Sequence, residues 1–251
     1  MIPITRPYVL SIAGLDPSSG AGLIADCKVF EQLKVYGFGV SSALTVQDEA
    51  NVYELNWLTK NQIIKQLEPL VATYPIKACK IGIVKDINLL LQIVDFLKDK
   101  LPHIKIIVDP ILKSSSGFDF MNYNDEQLWF QLLTKVELIT PNYIEMKMLS
   151  QSRDVLEATK EWSRYGNILL KGGHHAEHLG VDLLFTNQEV KRFMPSETLV
   201  YPKHGSGCVL SAAITSYLAL GFCLTESCEL AKTYTEQFLN SEKGLLGYHH
   251  L

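Results

Sequence analysis

Short apolar runs that recur between helical stretches constrain this chain more than any other feature. Residues 8–13, 76–81, 104–108, 136–139 and 168–170 are rich in Val, Ile and Leu and are broken by few polar side chains. Such runs suit strands covered on both faces, as in a parallel sheet, rather than the strict alternation of a half-solvated one. Residues 38–44 read as a further strand. A Gly/Pro/Ser cluster at 14–20 leads into a helical pattern to about Leu33. Thr59 with Gln62 makes a capping box that opens a helix to about Thr73. Ile87, Leu90, Leu91, Val94 and Leu97 form one stripe of another helix. Pro141 suits the first turn of a helix, and a further one is expected over 154–164. Residues 181–185 and 189–193 flank Thr186-Asn187-Gln188 as a hairpin, and helices near 208–220 and 225–239 follow. Neither a linker nor an internal repeat divides the sequence. The economical expectation is one α/β domain over 1–251, a three-layer α/β/α sandwich around a central, mostly parallel sheet.

Composition narrows the partners. Of 251 residues, 47% are hydrophobic and 20% charged, enough to build a sizeable core. Lys+Arg of 23 against Asp+Glu of 27 leaves a net charge of -4, so no global charge drives nucleic-acid binding and an anionic ligand must meet a local site. Five cysteines without the spacing of a secreted disulfide framework point to a reducing cytoplasm. The apolar run at 8–13 is too brief for a signal-peptide core. Residues 205–225 carry no charge, but their glycines, serines and threonines favour a buried helix after a glycine loop over a membrane span.

In a parallel sheet, ligands bind beyond the carboxyl ends of the strands, so the residues that follow each run matter most. Gly20-Ala21-Gly22-Leu23-Ile24-Ala25 matches the spacing of a dinucleotide fingerprint. It stands too far from its strand and lacks the acid expected after the second strand. Asp26, expected in the first turn, would also oppose a pyrophosphate. With no Gly-Lys pair, the Walker phosphate loop is absent. His204-Gly205-Ser206-Gly207-Cys208 is the better anion site, because two glycines let successive N–H groups converge at a helix start. Cys208 there is either a small packing residue or a thiol whose pKa falls enough to accept a proton. Cys27, Cys79, Cys223 and Cys228 read as packing residues. Lys171, before Gly172-Gly173, is a phosphate contact or an ordinary surface lysine. Asp109, Asn142 and Glu145 each fall just past a strand end. Each could be a cap or a surface charge, but together their oxygens suit Mg²⁺, directly or through water. His174, His175 and His178 follow no metal-ligand spacing and read as loop histidines.

Taken in order, these residues resemble the hydroxymethylpyrimidine and phosphomethylpyrimidine kinases of thiamine biosynthesis, in the ribokinase-like superfamily. The resemblance rests on residues 12–22 with Ala25-Asp26, Val35-Tyr36-Gly37, residues 43–47, Lys80-Ile81-Gly82, Val108-Asp109-Pro110, Thr140-Pro141-Asn142 with Glu145, residues 171–174 and residues 204–208. It implies ATP with Mg²⁺, phosphorylation of a pyrimidine hydroxymethyl group and then of the monophosphate, and a homodimer. It also implies that Gln47 reads the aminopyrimidine edge, with Asp26 and the Gly14 and Ala21 backbone completing that end. Lys171 would contact the transferred phosphate, and Asp109, Asn142 and Glu145 would organise Mg²⁺ and nucleotide. Gly205, Ser206, Gly207 and Cys208 would form the anion hole. Ile83 stands where the family's pocket offers Met, Leu15 replaces a Ser, and the stretch 111–120, Lys113 included, follows the pattern loosely. A pyridoxal or pyridoxine kinase is the alternative enzyme, and a catalytically silent pyrimidine sensor the alternative of another class.

Overall fold

The computed structural model describes residues 5–113, 125–152, 154–173, 179–196 and 200–249. Its strands are β1 (Tyr8–Leu15), β2 (Tyr36–Gln47), β3 (Val52–Trp57), β4 (Ala78–Ile81), β5 (Lys105–Val108), β6 (Leu138–Ile139), β7 (Ile168–Leu170), β8 (Asp182–Phe185) and β9 (Val190–Phe193). Its helices are α1 (Gly22–Gln32), α2 (Lys60–Thr73), α3 (Ile87–Lys100), α4 (Glu126–Leu133), α5 (Tyr143–Ser150), α6 (Val155–Trp162), α7 (Ser206–Leu220) and α8 (Leu224–Leu239). The strands make one sheet in the order β3-β2-β1-β4-β5-β6-β7-β8-β9. From β2 to β7 all neighbours are parallel, whereas β3, β8 and β9 pair antiparallel at the two edges.

Side chains leave a strand on alternate faces, and here both faces are apolar. Leu10, Ile12, Cys79, Ile81, Ile106 and Val108 face a core supplied by α2 to α6, with Trp129 and Trp162 as its largest members. Val9, Ala78, Ile107, Leu138 and Leu169 face the other core, supplied by α1, α7 and α8. This is the three-layer sandwich expected. α7 is buried almost all round, as an apolar, uncharged helix must be, and ends at Gly221 with φ 102°. Among the described residues no helix is long and apolar enough to cross a membrane.

Two elements lie outside the sequence expectations and one expectation is corrected. β3 was not anticipated: its apolar residues alternate with Glu54 and Asn56 on a short edge strand that pairs only with β2. α4 was missed too, being eight residues long, although Asp125 caps it at Leu128 N. Pro141 lies outside the helix it was to open, because Asn142 is the cap and α5 starts at Tyr143.

Candidate active site

The order of the sheet reverses at β1, which has β2 on one side and β4 on the other, so a crevice opens beyond the carboxyl ends of β1 and β4. What lines it follows from strand parity. Ser11 shares a face with Val9, Lys80 with Ala78, Asp109 with Ile107 and Lys171 with Leu169, so all four turn toward α1 and α7. Lys80 is the single charge in a wholly buried strand, and burial of an ammonium demands a partner. Asp26 of α1 supplies it: Lys80 Nζ lies 3.0 and 2.8 Å from the two carboxylate oxygens, and Ser11 Oγ donates to Oδ2 at 2.5 Å. Burial alone would lower the Lys80 pKa, but attraction by Asp26 raises it. Asp26 is therefore corrected in two respects. It stands beyond the first turn of α1, and both its oxygens are spent on the core rather than on a pocket.

Next along the edge, Lys171 Nζ donates to Asp109 Oδ1 at 2.8 Å and stands 3.9 Å from Glu145 Oε2. Thr140 Oγ1 donates to the same Asp109 oxygen at 3.0 Å, and Ser211 of α7 reaches Oδ2 at 3.4 Å. Burial would raise the Asp109 pKa, yet the Lys171 charge holds it below the usual carboxylate value. Glu145 behaves otherwise: burial pushes its carboxyl up to about 7 against the pull of Lys171. Asn142 and Glu145 form a reciprocal capping box on α5, Glu145 N donating to Asn142 Oδ1 at 2.9 Å and Asn142 N to Glu145 Oε2 at 2.7 Å. The cap places this carboxylate beside Lys171.

Over that ion pair sits the start of α7. Gly205 has φ 75°, and a Cβ there would fall 2.1 Å from the Gly20 carbonyl oxygen, so the two glycine loops touch backbone to backbone. A Cβ on Gly207 would fall 3.2 Å from Lys171 Nζ and 3.6 Å from Asp109 Oδ2. No side chain caps α7. Its first N–H groups and the Lys171 ammonium thus converge on one place, an arrangement suited to an anion. Of the two readings of Cys208, the structure favours the small buried residue over the thiol of lowered pKa. Burial pushes the thiol up to about 11, and the opposing Lys80 charge and Gly22 N–H do not compensate.

The other end of the crevice is built on Gly14. A Cβ there would meet Ile83 Cδ1 at 2.5 Å, with Thr45 Cγ2 at 3.9 Å. Ile83 is fixed through its carbonyl, which accepts from Ser42 Oγ at 2.6 Å. Asp16, missed by sequence reasoning, ties this loop together: Ala21 N donates to Oδ2 at 2.9 Å and Ser18 N to Oδ1 at 2.8 Å. His204 Nε2 stands 2.8 Å from Oδ2, and the Gln47 amide is near enough to the same carboxylate to favour its ionised form. Burial acts against ionisation of Asp16, but these partners hold it well below the usual range. Gly14, Ala21, Gln47 and Ile83 are thereby brought to one end, and Asp109, Lys171, Glu145 and α7 to the other. The Lys171 loop has its own support, since Gly172 N donates to Asp182 Oδ1 at 2.8 Å and Lys232 Nζ of α8 donates to Oδ2 at 3.0 Å. His174, His175 and His178 lie outside the described residues.

Comparison with known proteins agrees with this geometry. The family described as phosphomethylpyrimidine kinase matches residues 16–250. The chain belongs to the phosphomethylpyrimidine kinase family. A hydroxymethylpyrimidine/phosphomethylpyrimidine kinase of Aquifex aeolicus is 31% identical over 248 residues, covering 95% of this chain and 97% of that one. The solved phosphomethylpyrimidine kinase of Clostridium difficile superposes with a TM-score of 0.77 at 33% identity, covering 92% of this chain and 98% of its own. A pyridoxal kinase of Staphylococcus aureus superposes with a TM-score of 0.83 at 25% identity, covering 98% and 93%. As members of a kinase family share a phosphoryl donor, ATP is the donor here. The ribokinase-like fold expected from the sequence is the fold of these relatives.

Proposed function

We propose that this chain, acting as a single domain, transfers the γ-phosphoryl group of ATP to the hydroxymethyl oxygen of 4-amino-5-hydroxymethyl-2-methylpyrimidine, and then phosphorylates the monophosphate to the diphosphate for thiamine biosynthesis. The observation that carries this reading is the Lys171 ammonium held between Asp109 and Glu145 beneath the uncapped start of α7. Phosphoryl transfer asks chiefly for positioning and for stabilisation of charge on the moving group, and this arrangement offers both. The Gly14, Ala21, Gln47 and Ile83 end would hold the ring with its hydroxymethyl group toward α7. A loose transition state makes little demand on a base, so Cys208 as a neutral thiol lines the hole formed by Gly205, Ser206 and Gly207.

Mg²⁺ belongs to the same reading. Asp109 is engaged by Lys171, Thr140 and Ser211, so these residues fit a cation that keeps its water shell rather than a directly ligated one. Asp109, Asn142 and Glu145 would hold it through water, and it would neutralise phosphate charge. Purified protein with Mg-ATP is expected to convert both the pyrimidine and its monophosphate, with products identified by mass spectrometry. Turnover of pyridoxal or pyridoxine alone would move the assignment to a B6-vitamer kinase, and pyrimidine binding without turnover to a sensor.

The homodimer and the cytoplasmic location remain part of this proposal. On β2, Leu44 and Val46, two residues apart on one face of the strand, are 45% and 51% exposed, apolar surface of the kind that pairs subunits. Light scattering is expected to give twice the 28.2 kDa chain mass, and Val46→Glu to bring it to the monomer value. A wild-type monomer at micromolar concentration would end the dimer proposal.

A further inference from the structure

The stretch that follows α8 returns to the crevice. α8 ends at Leu239, and Ser241 Oγ donates to the Phe238 carbonyl at 2.7 Å and accepts from Tyr248 N at 2.8 Å, which closes residues 241–248 into a loop. Its base is pinned to α8: the His249 ring stacks on Phe238 with centroids 4.7 Å apart, and His249 Nδ1 stands 2.9 Å from the Tyr234 hydroxyl. Compact surface loops with closed ends are frequently functional, and the far side of this one meets both glycine loops. The Glu242 carbonyl accepts from Lys203 Nζ, and the Leu245 carbonyl accepts from His204 N at 2.9 Å. A Cβ on the buried Gly20 would fall 3.0 Å from Leu246 Cδ2 and 2.6 Å from His204 Cδ2, so both side chains close over that glycine. The Gly20 carbonyl is in turn what Gly205 meets. Two routes therefore lead from this loop to Gly205, which opens α7 with φ 75°: Leu245 through His204, and Leu246 through Gly20.

We propose that Leu246 is a positioning residue for phosphoryl transfer, which holds the turn before α7 so that the N–H groups of Ser206, Gly207 and Cys208 stay aimed over Lys171. Those groups have no side chain to cap them and lie among glycines, whose backbone samples many conformations unless its neighbours restrict it. Donors of this kind stabilise a transition state only when their geometry is fixed beforehand. From Val209 onward the helix ladder does this, beginning with Val209 N and the Gly205 carbonyl at 2.9 Å. Before that point the task falls to His204, held from its other side by Asp16, and to Gly20. Leu246 is 42% exposed and belongs to neither core, so its contact with the two loops is what it contributes. The inference rests on the pyrimidine kinase reading above and adds a residue that lies outside the crevice.

The test uses the full chain with Leu246→Gly, which removes the contact with Gly20 and loosens the loop, and with Leu246→Met, which keeps the bulk. Leu246→Gly is expected to lower kcat for the pyrimidine by about tenfold or more, because small misplacements of a preorganised site are costly, with KM and Tm close to wild type. Leu246→Met is expected to keep the wild-type rate. Hydrogen exchange adds a readout that needs no substrate. The His204 amide, bonded to the Leu245 carbonyl, is expected to be protected in the wild type and to exchange about tenfold faster in Leu246→Gly. An unchanged kcat in Leu246→Gly, a Leu246→Met enzyme equally slow, or a fall in kcat that only accompanies a fall in Tm overturns the proposal. A His204 amide that exchanges freely in the wild type overturns it as well. Should Leu246→Gly fail to fold, Leu246→Ala is expected to show the same split between kcat and KM, and its absence there overturns the proposal. A wild type that phosphorylates no pyrimidine refutes the functional reading instead, while the exchange of His204 still decides whether this loop holds the turn before α7.

Discussion

Replacing Lys171 with methionine is expected to lower kcat by about 10²- to 10³-fold, the loss seen when one preorganised donor to a transition-state oxyanion is removed. The ammonium stands 2.8 Å from Asp109, 3.9 Å from Glu145 and directly under Gly207, so it sets a positive charge at the start of α7 where the moving phosphoryl group would sit. Methionine keeps the bulk and removes the charge, leaving two buried carboxyl groups face to face. Binding of the pyrimidine, measured by calorimetry without nucleotide, is expected to change little, because Gly14, Gln47 and Ile83 form the other end of the crevice. Lys171→Arg is expected to recover part of the rate. A Lys171→Met protein that is folded and turns over within threefold of wild type would remove Lys171 from the chemistry.

The second large effect is on stability. Lys80→Met leaves the Asp26 carboxylate buried without its cation, and breaking such a pair from one side costs about 3–5 kcal/mol. For a chain of this size that corresponds to a fall in Tm of roughly 6–20 °C. Replacing both partners, as Lys80→Met with Asp26→Leu, is expected to restore most of the loss, since two apolar side chains need no ionic partner. Calorimetry of the two variants checks this. A single mutant that loses less than about 1 kcal/mol would mean that water or another group already shares the charge.

The layered architecture was legible because both faces of the sheet are covered, which leaves strands such as β5 and β7 with almost no polar residue to obscure them. The anion end was legible for a related reason: glycines before an apolar helix, and polar residues just past a strand, stand out against the core. What pairs with what was not. Nothing local to Asp26 tells a reader that a lysine 54 positions away will neutralise it, and the family resemblance implied a ligand there instead. Lys80 did carry a signal, as the one charge in an otherwise apolar strand. Asp16 lies in the Gly/Pro/Ser cluster at 14–20, and only the approach of the loop before α7 gives it its distant partner, His204. β3 and α4 escaped because short elements at an edge or between loops bury too little to impose a clear period.

The contact between His204 and Asp16 joins residues 188 positions apart, and those of Lys171 with Asp109 and of Lys80 with Asp26 span 62 and 54. Closing such long loops is entropically unfavourable until most of the sheet exists to reward it. The crevice therefore belongs to the late stages of folding, after the helices and the central strands. A partly folded chain would have its secondary structure and no working site, so regained turnover reports the whole architecture, whereas circular dichroism would report only its parts.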